Sequence, residues 1–329
     1  MFMKKSTFRN SLIFTSTIFI ITIFMSVGFS AVSKELSISS NVTSLQMGLL
    51  VNNGNDSYAD FAYFLRCNSS GHTIMSHNVR RLYFRSTVPD AYQAGTTGHV
   101  SCDVSAAQNG SVMAYYVPTS GKTYGDVYVV PNNGIAFTNT HTVFASMDQC
   151  TVVNFGIYIN TSKQTDMSDM FLDLCNTCNA VTDSVLNLSA FNTSNVTSML
   201  QMFMGMHKFE QINLSSFNTS NVTTMACMFD DAIHLKQLNL STFNTSNVTS
   251  MWSMFDTTSS LEHIYIGDGS LWNVSNVTTG AEMFEYSQVV ISSGCPIEAG
   301  AHVDGLQYAF AGTRVINGHT VTGCLSYGP

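Results

Sequence analysis

A short block of residues recurs along the chain with a period of 26 residues. The block Phe-Asn-Thr-Ser-Asn-Val-Thr-Ser/Thr-Met begins at Phe191, Phe217 and Phe243, and a Met-Phe pair follows each copy at the same distance. A looser copy begins at Trp272, after an insertion of three residues near positions 267–269. A fixed period of this length is typical of proteins in which neighbouring repeats stack and bury a shared core.

Weaker copies extend the repeat on both sides. Residues 160–171 align without gaps to residues 192–203, and residues 303–310 repeat residues 277–284. These copies together predict about seven repeats, running from residue 127 to the end of the chain.

Each repeat has the pattern of a strand followed by a turn and a short helix. Leu238 and Leu240 alternate around Asn239, which is the period of a strand with one buried face. The oxygen-bearing side chains of residues 244–247 favour the start of a helix. One apolar helical face is then predicted from Val248, Met251, Met254 and Phe255. We therefore predict an α/β fold, a right-handed leucine-rich-repeat-like solenoid of about seven strand-turn-helix coils with a β-rich N-terminal capping region.

The repeat unit Leu-x-Leu-Ser-x-Phe-Asn-Thr-Ser-Asn-Val-Thr-x-Met-x-x-Met-Phe resembles that of the BspA-type leucine-rich repeat surface proteins of bacteria. That family usually has Asp where this chain has Asn192, Asn218 and Asn244, and it commonly has Trp where this chain has Cys102. The resemblance covers residues 78–313 and implies a role in adhesion or host contact. It carries over no catalytic residue.

The N-terminus has the features of a secretory signal. Lys4, Lys5 and Arg9 precede an uncharged run over residues 11–29, and residues 31–33 form a small-x-small cleavage site. The alternative is an uncleaved membrane anchor, because 19 residues are enough to span a bilayer. We expect a secreted or surface-displayed protein that contacts a membrane only if this segment is retained.

The predicted organisation has three regions: a signal peptide at residues 1–33, a β-rich cap at residues 34–126 and the repeat at residues 127–329. Charged residues make up only 10 % of the whole chain. Without the first 33 residues, 10 basic residues remain against 21 acidic ones. This balance argues against nucleic acid as a partner.

No catalytic motif occurs in the sequence, since HExxH, Walker A and GxSxG patterns are all missing. Cys175 and Cys178 form a CxxC pair, which fits a redox or zinc half-site, a loop disulfide or two free thiols. Asp230 and Asp231 fall at the predicted end of a helix, where we expect solvated carboxylates. We predict a protein that is not an enzyme and has neither a cofactor nor a metal.

N-glycosylation sequons begin at Asn195, Asn221 and Asn247. Two interpretations are open. The asparagines are glycan acceptors, or they belong to the repeat and satisfy backbone groups at each turn.

The outward positions of the predicted strands form three columns, which are the candidate binding surface. The asparagine column contains Asn187, Asn213, Asn239 and Tyr265; the glutamine column contains Gln211, Gln237 and His263; the charged column contains Glu210, Lys236 and Glu262. Repeat proteins often bind through such a face, so we predict an extracellular protein or glycoprotein as the partner. The alternative function is a non-binding spacer or part of a larger surface assembly.

Overall fold

The structure is a computed structural model of the 329-residue chain. It describes residues 42–45, 63–67, 72–75, 78–103, 112–131, 134–137, 144–156, 159–178, 184–287, 307, 309–316 and 319–328. The predicted signal peptide at residues 1–33 lies outside this part of the chain. Within it, no helix is long and apolar enough to cross a membrane.

Short strands are the regular elements of the described residues. Those before the central repeats are β1 (Val42–Leu45), β2 (Tyr63–Cys67), β3 (His72–Met75), β4 (Val79–Phe84), β5 (Val100–Asp103), β6 (Val112–Pro118), β7 (Gly125–Pro131), β8 (Gly134–Phe137), β9 (Val152–Asn154) and β10 (Ile159–Asn160). The remaining strands are β11 (Val185–Asn187), β12 (Gln211–Asn213), β13 (Gln237–Asn239), β14 (His263–Tyr265), β15 (Thr313–Ile316) and β16 (His319–Thr322).

The largest sheet has five strands in the order β5-β6-β7-β4-β9. The β5-β6 and β6-β7 pairs are antiparallel, whereas β4 is parallel to both β7 and β9. Val79, Leu82, Val127 and Val129 are fully buried on its inner face. Strand β7 spans residues 126 and 127, so the predicted boundary between cap and repeat falls within one strand.

Neighbouring repeats contact one another through parallel pairing. Strand β11 pairs with β12 in the same register as β13 with β14. A second line of parallel bridges runs through Asp166, Ser198, Thr224, Ser250 and Thr279, one residue from each repeat. The backbone of the repeats is therefore joined at the strands and again at the bridges.

A column of phenylalanine rings runs through the interior of the repeats. Successive ring centroids are 5.4–5.8 Å apart and the ring planes lie within 13° of parallel. The column consists of Phe144, Phe171, Phe203, Phe229, Phe255 and Phe284. Phe217 and Met228 are also buried. The apolar face predicted from Val248, Met251, Met254 and Phe255 is likewise buried in the interior.

The predicted helices are wrong. None of the residues that the structure describes lies in an α-helix, and the segments expected to be helical are turns. The sheets are small, with two to five strands each. The prediction of a right-handed α/β solenoid with about seven strand-turn-helix coils is therefore incorrect.

Backbone hydrogen bonds explain why these segments are not helical. The N–H groups of alternate residues in 225–231 donate to carbonyl oxygens of alternate residues in 250–256, which belong to the next repeat, at 2.8–3.1 Å. Between them, the Met228 and Asp230 N–H groups donate to carbonyls three residues earlier, at 3.3 and 3.2 Å, whereas the Ala226 N–H donates to Thr224 Oγ1 at 3.4 Å. A helix would direct all of these donors to the fourth residue back within one segment.

The turns also contain residues with left-handed backbone. Cys227 and Asp231 have φ values of 51° and 56°, and Ser253 and Thr257 have 49° and 51°. A residue other than glycine costs about 1–3 kcal/mol in this region, so the surrounding contacts must hold it there. Three residues lie between the two left-handed positions in each turn, and this spacing prevents a continuous helix.

The residues expected to cap a helix bind the next repeat instead. Thr193 is buried, and its hydroxyl accepts the Asn218 N–H at 2.8 Å and donates to the Asn218 carbonyl at 2.9 Å. Thr161 contacts Asn192 in the same way. Each buried threonine therefore satisfies both polar groups of one residue in the adjoining repeat.

Candidate functional site

Strand pairing holds members of the predicted columns in register within β11-β12 and within β13-β14, which are two separate two-stranded sheets. Asn187 lies beside Asn213, and Asn239 beside Tyr265. The charged column is linked through its backbone, because the Lys236 N–H donates to Glu210 O at 3.0 Å and the Glu262 N–H donates to Lys236 O at 2.9 Å. The structure thus brings the members of each column together across successive repeats.

The asparagine column is largely occupied by hydrogen bonds within the protein. The Oδ1 atoms of Asn187, Asn213 and Asn239 each accept the N–H two residues later, at 3.0–3.2 Å. Asn213 Nδ2 also donates to Asn187 Oδ1 at 3.1 Å. These asparagines shape the turn after each strand, which the sequence prediction of a binding column did not include.

The glutamine column is open to solvent. Gln211 and Gln237 are exposed, and His263 is half-buried at the end of the column. The His263 ring stacks on Tyr265 with the centroids 5.6 Å apart. This part of the face presents amide groups beside an aromatic pair. The amides are suited to hydrogen bonding with a polar partner, and the rings are suited to stacking against it.

The charged column contains one ion pair. Lys236 Nζ lies 2.8 Å from Glu210 Oε1, and both side chains are substantially exposed. An exposed pair of this kind contributes little to stability, on the order of 0–1 kcal/mol. Glu262 is exposed on the other side of Lys236, so charges alternate along the column.

A carboxyl group with a shifted pKa lies in the turns. Partial burial, together with the neighbouring Asp256 and Asp231, raises the pKa of Asp230 to about 7. Burial raises the pKa of Asp256 as well. Asp230 and Asp231 were expected to be solvated at the end of a helix, and for Asp230 that expectation is wrong, because the turn packs it beside the carboxyl of the next repeat.

Asp230→Asn is expected to change how stability depends on pH. The folded state holds the Asp230 proton more tightly than the unfolded chain, so stability falls as pH rises from about 4 to about 7 and then stays level. Above pH 7 the variant should be more stable by about 1–2 kcal/mol, a figure reduced to allow for partial exposure. Urea unfolding at several pH values measures this effect.

Asp268→Asn is the control for that series. Hydrogen bonds from Ser270 lower the pKa of Asp268, and its side chain is exposed. Replacing Asp268 should leave unchanged the decline in stability between pH 4 and pH 7. An equal decline in the Asp230 variant would show that Asp230 is not its source.

The sequon asparagines take part in contacts between repeats. Asn195, Asn221 and Asn247 each donate through Nδ2 to a serine carbonyl of the preceding repeat, at 2.7–2.8 Å. A glycan would be attached to that same nitrogen. The structure therefore favours the interpretation that these residues belong to the repeat.

The cysteines show no reactive or metal-binding arrangement in the described part. Cys175 and Cys178 form a disulfide, so of the interpretations left open for this pair the loop disulfide is confirmed. Cys150 and Cys227 are buried free thiols whose pKa burial raises to about 12, which makes them poor nucleophiles. The described residues contain no group of His, Cys, Asp and Glu side chains suited to a metal ion.

The central repeats resemble one known family. Residues 165–293 match the family described as "Mycoplasma protein of unknown function, DUF285". The matched segment includes strands β11 to β14 and hence all three columns. No curated protein and no solved structure matches the chain.

Proposed function

We propose that this protein is a binding module, secreted or displayed at a cell surface, that contacts a protein or glycoprotein of a host or neighbouring cell. The observation that carries the proposal is the glutamine column, in which Gln211, Gln237 and His263 lie at corresponding positions of successive strands. The resemblance to BspA-type surface proteins supports the same role, as does the secretory character of residues 1–33.

The rigidity of the face favours binding. Parallel pairing fixes the strand backbones, and the asparagine column fixes the turn after each strand. Side chains presented on a fixed backbone lose little further entropy when a partner binds. The alternating charges of Glu210, Lys236 and Glu262 would set the orientation of the partner rather than supply most of the affinity.

The test is an array of matrix proteins and mucin glycans, probed with the full chain and with a triple variant, Gln211→Ala, Gln237→Ala and His263→Ala. We expect saturable binding to at least one partner and a loss of about tenfold or more in the variant. The matched control is Thr223→Ala with Thr249→Ala, which alters exposed side chains in the turns of the same repeats.

A structural spacer is the second candidate function. The observation that favours it is the dense bonding between repeats, in which threonine hydroxyls and asparagine amides join each unit to the next. If no array component binds, or if the triple variant binds as well as the control, the binding proposal is wrong and the spacer is the better account.

A further inference from the structure

A cleft lies where the last of the central repeats meets the C-terminal segment. Its volume of about 310 Å³ is near the lower end of the range for small-ligand pockets, about 300–1,000 Å³. The repeat pattern changes here, because Trp272 replaces the usual phenylalanine and donates through Nε1 to Ala309 O at 3.0 Å. The cleft therefore forms where the sequence deviates from the repeat pattern.

Tyr327 forms an exposed aromatic wall of this cleft. The residue is 58 % exposed. The ring lies between two glycines with left-handed backbone, and a methyl group would come within 3.3 Å of the ring at Gly269 and within 3.2 Å at Gly312. Any larger residue at either position would crowd the ring. The two glycines therefore leave room for the Tyr327 ring, and most of the tyrosine surface remains exposed.

Arg314 supplies a positive charge to the same cleft. Its guanidinium carbon lies 4.4 Å from the centroid of the Phe310 ring, and Phe310 is buried. Within the described part of the chain, Arg314 forms no ion pair. A guanidinium held on an aromatic ring keeps its N–H groups available for an acidic ligand and loses little freedom when it binds one.

Polar groups complete the lining. Asp268 accepts the Ser270 N–H through Oδ1 at 2.9 Å and remains exposed. Asn273 and Ser275 are exposed as well, and Asn273 uses Oδ1 to accept the Ser275 N–H at 2.9 Å. The Asp268 carboxylate also accepts from the Ser270 side chain, and its exposed oxygens and the Asn273 amide face the cleft as partners for the hydroxyl groups of a ligand.

We propose that this cleft binds a single sugar residue that bears a carboxylate. The carboxylate pairs with Arg314, the C–H face of the ring lies against Tyr327, and the hydroxyl groups bond to Asp268 and Asn273. A neutral sugar would lack a partner for Arg314, and a simple organic acid would lack the hydroxyl groups. The site does not depend on the strand face, so either proposal can fail without the other.

The test compares three probes by calorimetry on the full chain: methyl β-glucuronide, methyl β-glucoside and cyclohexanecarboxylate. We expect the glucuronide to bind at least about tenfold more tightly than either of the others. Arg314→Gln should weaken glucuronide binding by about tenfold or more, and Tyr327→Ala should weaken it too. Arg80→Gln, which removes an arginine that lies over the ring of Tyr124 and outside the cleft, should leave glucuronide binding unchanged.

Each alternative result overturns the proposal. If the glucoside binds as tightly as the glucuronide, the carboxylate does not contribute to binding. If cyclohexanecarboxylate binds as tightly as the glucuronide, the sugar hydroxyl groups do not contribute. If the glucuronide does not bind, the cleft is not a binding site for this class of sugar. Melting curves of both cleft variants that match the unaltered chain show that a loss of binding is not a loss of folding.

Discussion

Phe229→Ala is expected to lower the free energy of unfolding by about 3–5 kcal/mol, the usual cost of truncating a buried phenylalanine. The ring is fully buried and stacks on Phe203 at 5.4 Å and on Phe255 at 5.8 Å. Its removal leaves a cavity that both neighbouring repeats share. Because the repeats are joined through their backbones, neither ring can move far enough to fill it.

Urea unfolding of the variant and the unaltered chain measures this effect. The control is Tyr286→Ala, which removes an aromatic ring that is 53 % exposed and should cost about 1 kcal/mol or less. Similar losses for the two variants would mean that the phenylalanine column does not hold the repeats together.

Thr193→Val is expected to cost about 2–3 kcal/mol, although valine has nearly the shape of threonine. The change removes the hydroxyl that contacts both the N–H and the carbonyl of Asn218, at 2.8 and 2.9 Å. Thr193 is 1 % exposed, so water has little access to replace these bonds. The loss should therefore come from hydrogen bonding rather than from volume.

Thr223→Val is the matched control for this substitution. Thr223 also donates to a carbonyl of the preceding repeat, at 3.1 Å to Thr197 O, but its side chain is exposed. Water can take over that bond, so we expect a cost of about 0.5 kcal/mol or less. Equal costs at the two positions would contradict the assignment of the buried threonines as the stronger link between repeats.

The sequence predicted the core of the repeats but not their backbone. Val248, Met251, Met254 and Phe255 are all buried, as the pattern required. The same spacing fits one face of a helix and also a series of turns that packs against the next repeat. Hydrophobic periodicity records which side chains are buried, and it does not record where the backbone N–H groups donate.

The left-handed residues were the feature that sequence reasoning could not detect. Such positions are usually predicted from glycine, yet they are occupied here by Gln201, Cys227, Ser253 and Glu282. Among the turns of residues 169–286 that the structure describes, one has glycine at its second left-handed position, Gly205. The contacts between repeats determine this backbone, and a single repeat has too little information to reveal it.

The candidate binding face was predicted in part. Alternation around buried residues such as Leu238 placed the three columns on one side of the strands, and the structure pairs their members in register within β11-β12 and within β13-β14. The pattern did not show that the asparagines bond to their own turns. The cleft was missed altogether, because Gly269, Gly312 and Tyr327 are far apart in the sequence and only folding brings them together.

The most direct test of this account is the measurement of scalar couplings across backbone hydrogen bonds by NMR on isotope-labelled protein. The structure predicts a coupling between the Phe229 nitrogen and the Met254 carbonyl carbon, with Cα shifts of residues 251–257 outside the helical range. A coupling from the Phe255 nitrogen to the Met251 carbonyl carbon, together with helical Cα shifts, would show a helix in this segment. That result would contradict the claim that backbone hydrogen bonds between turns connect the repeats.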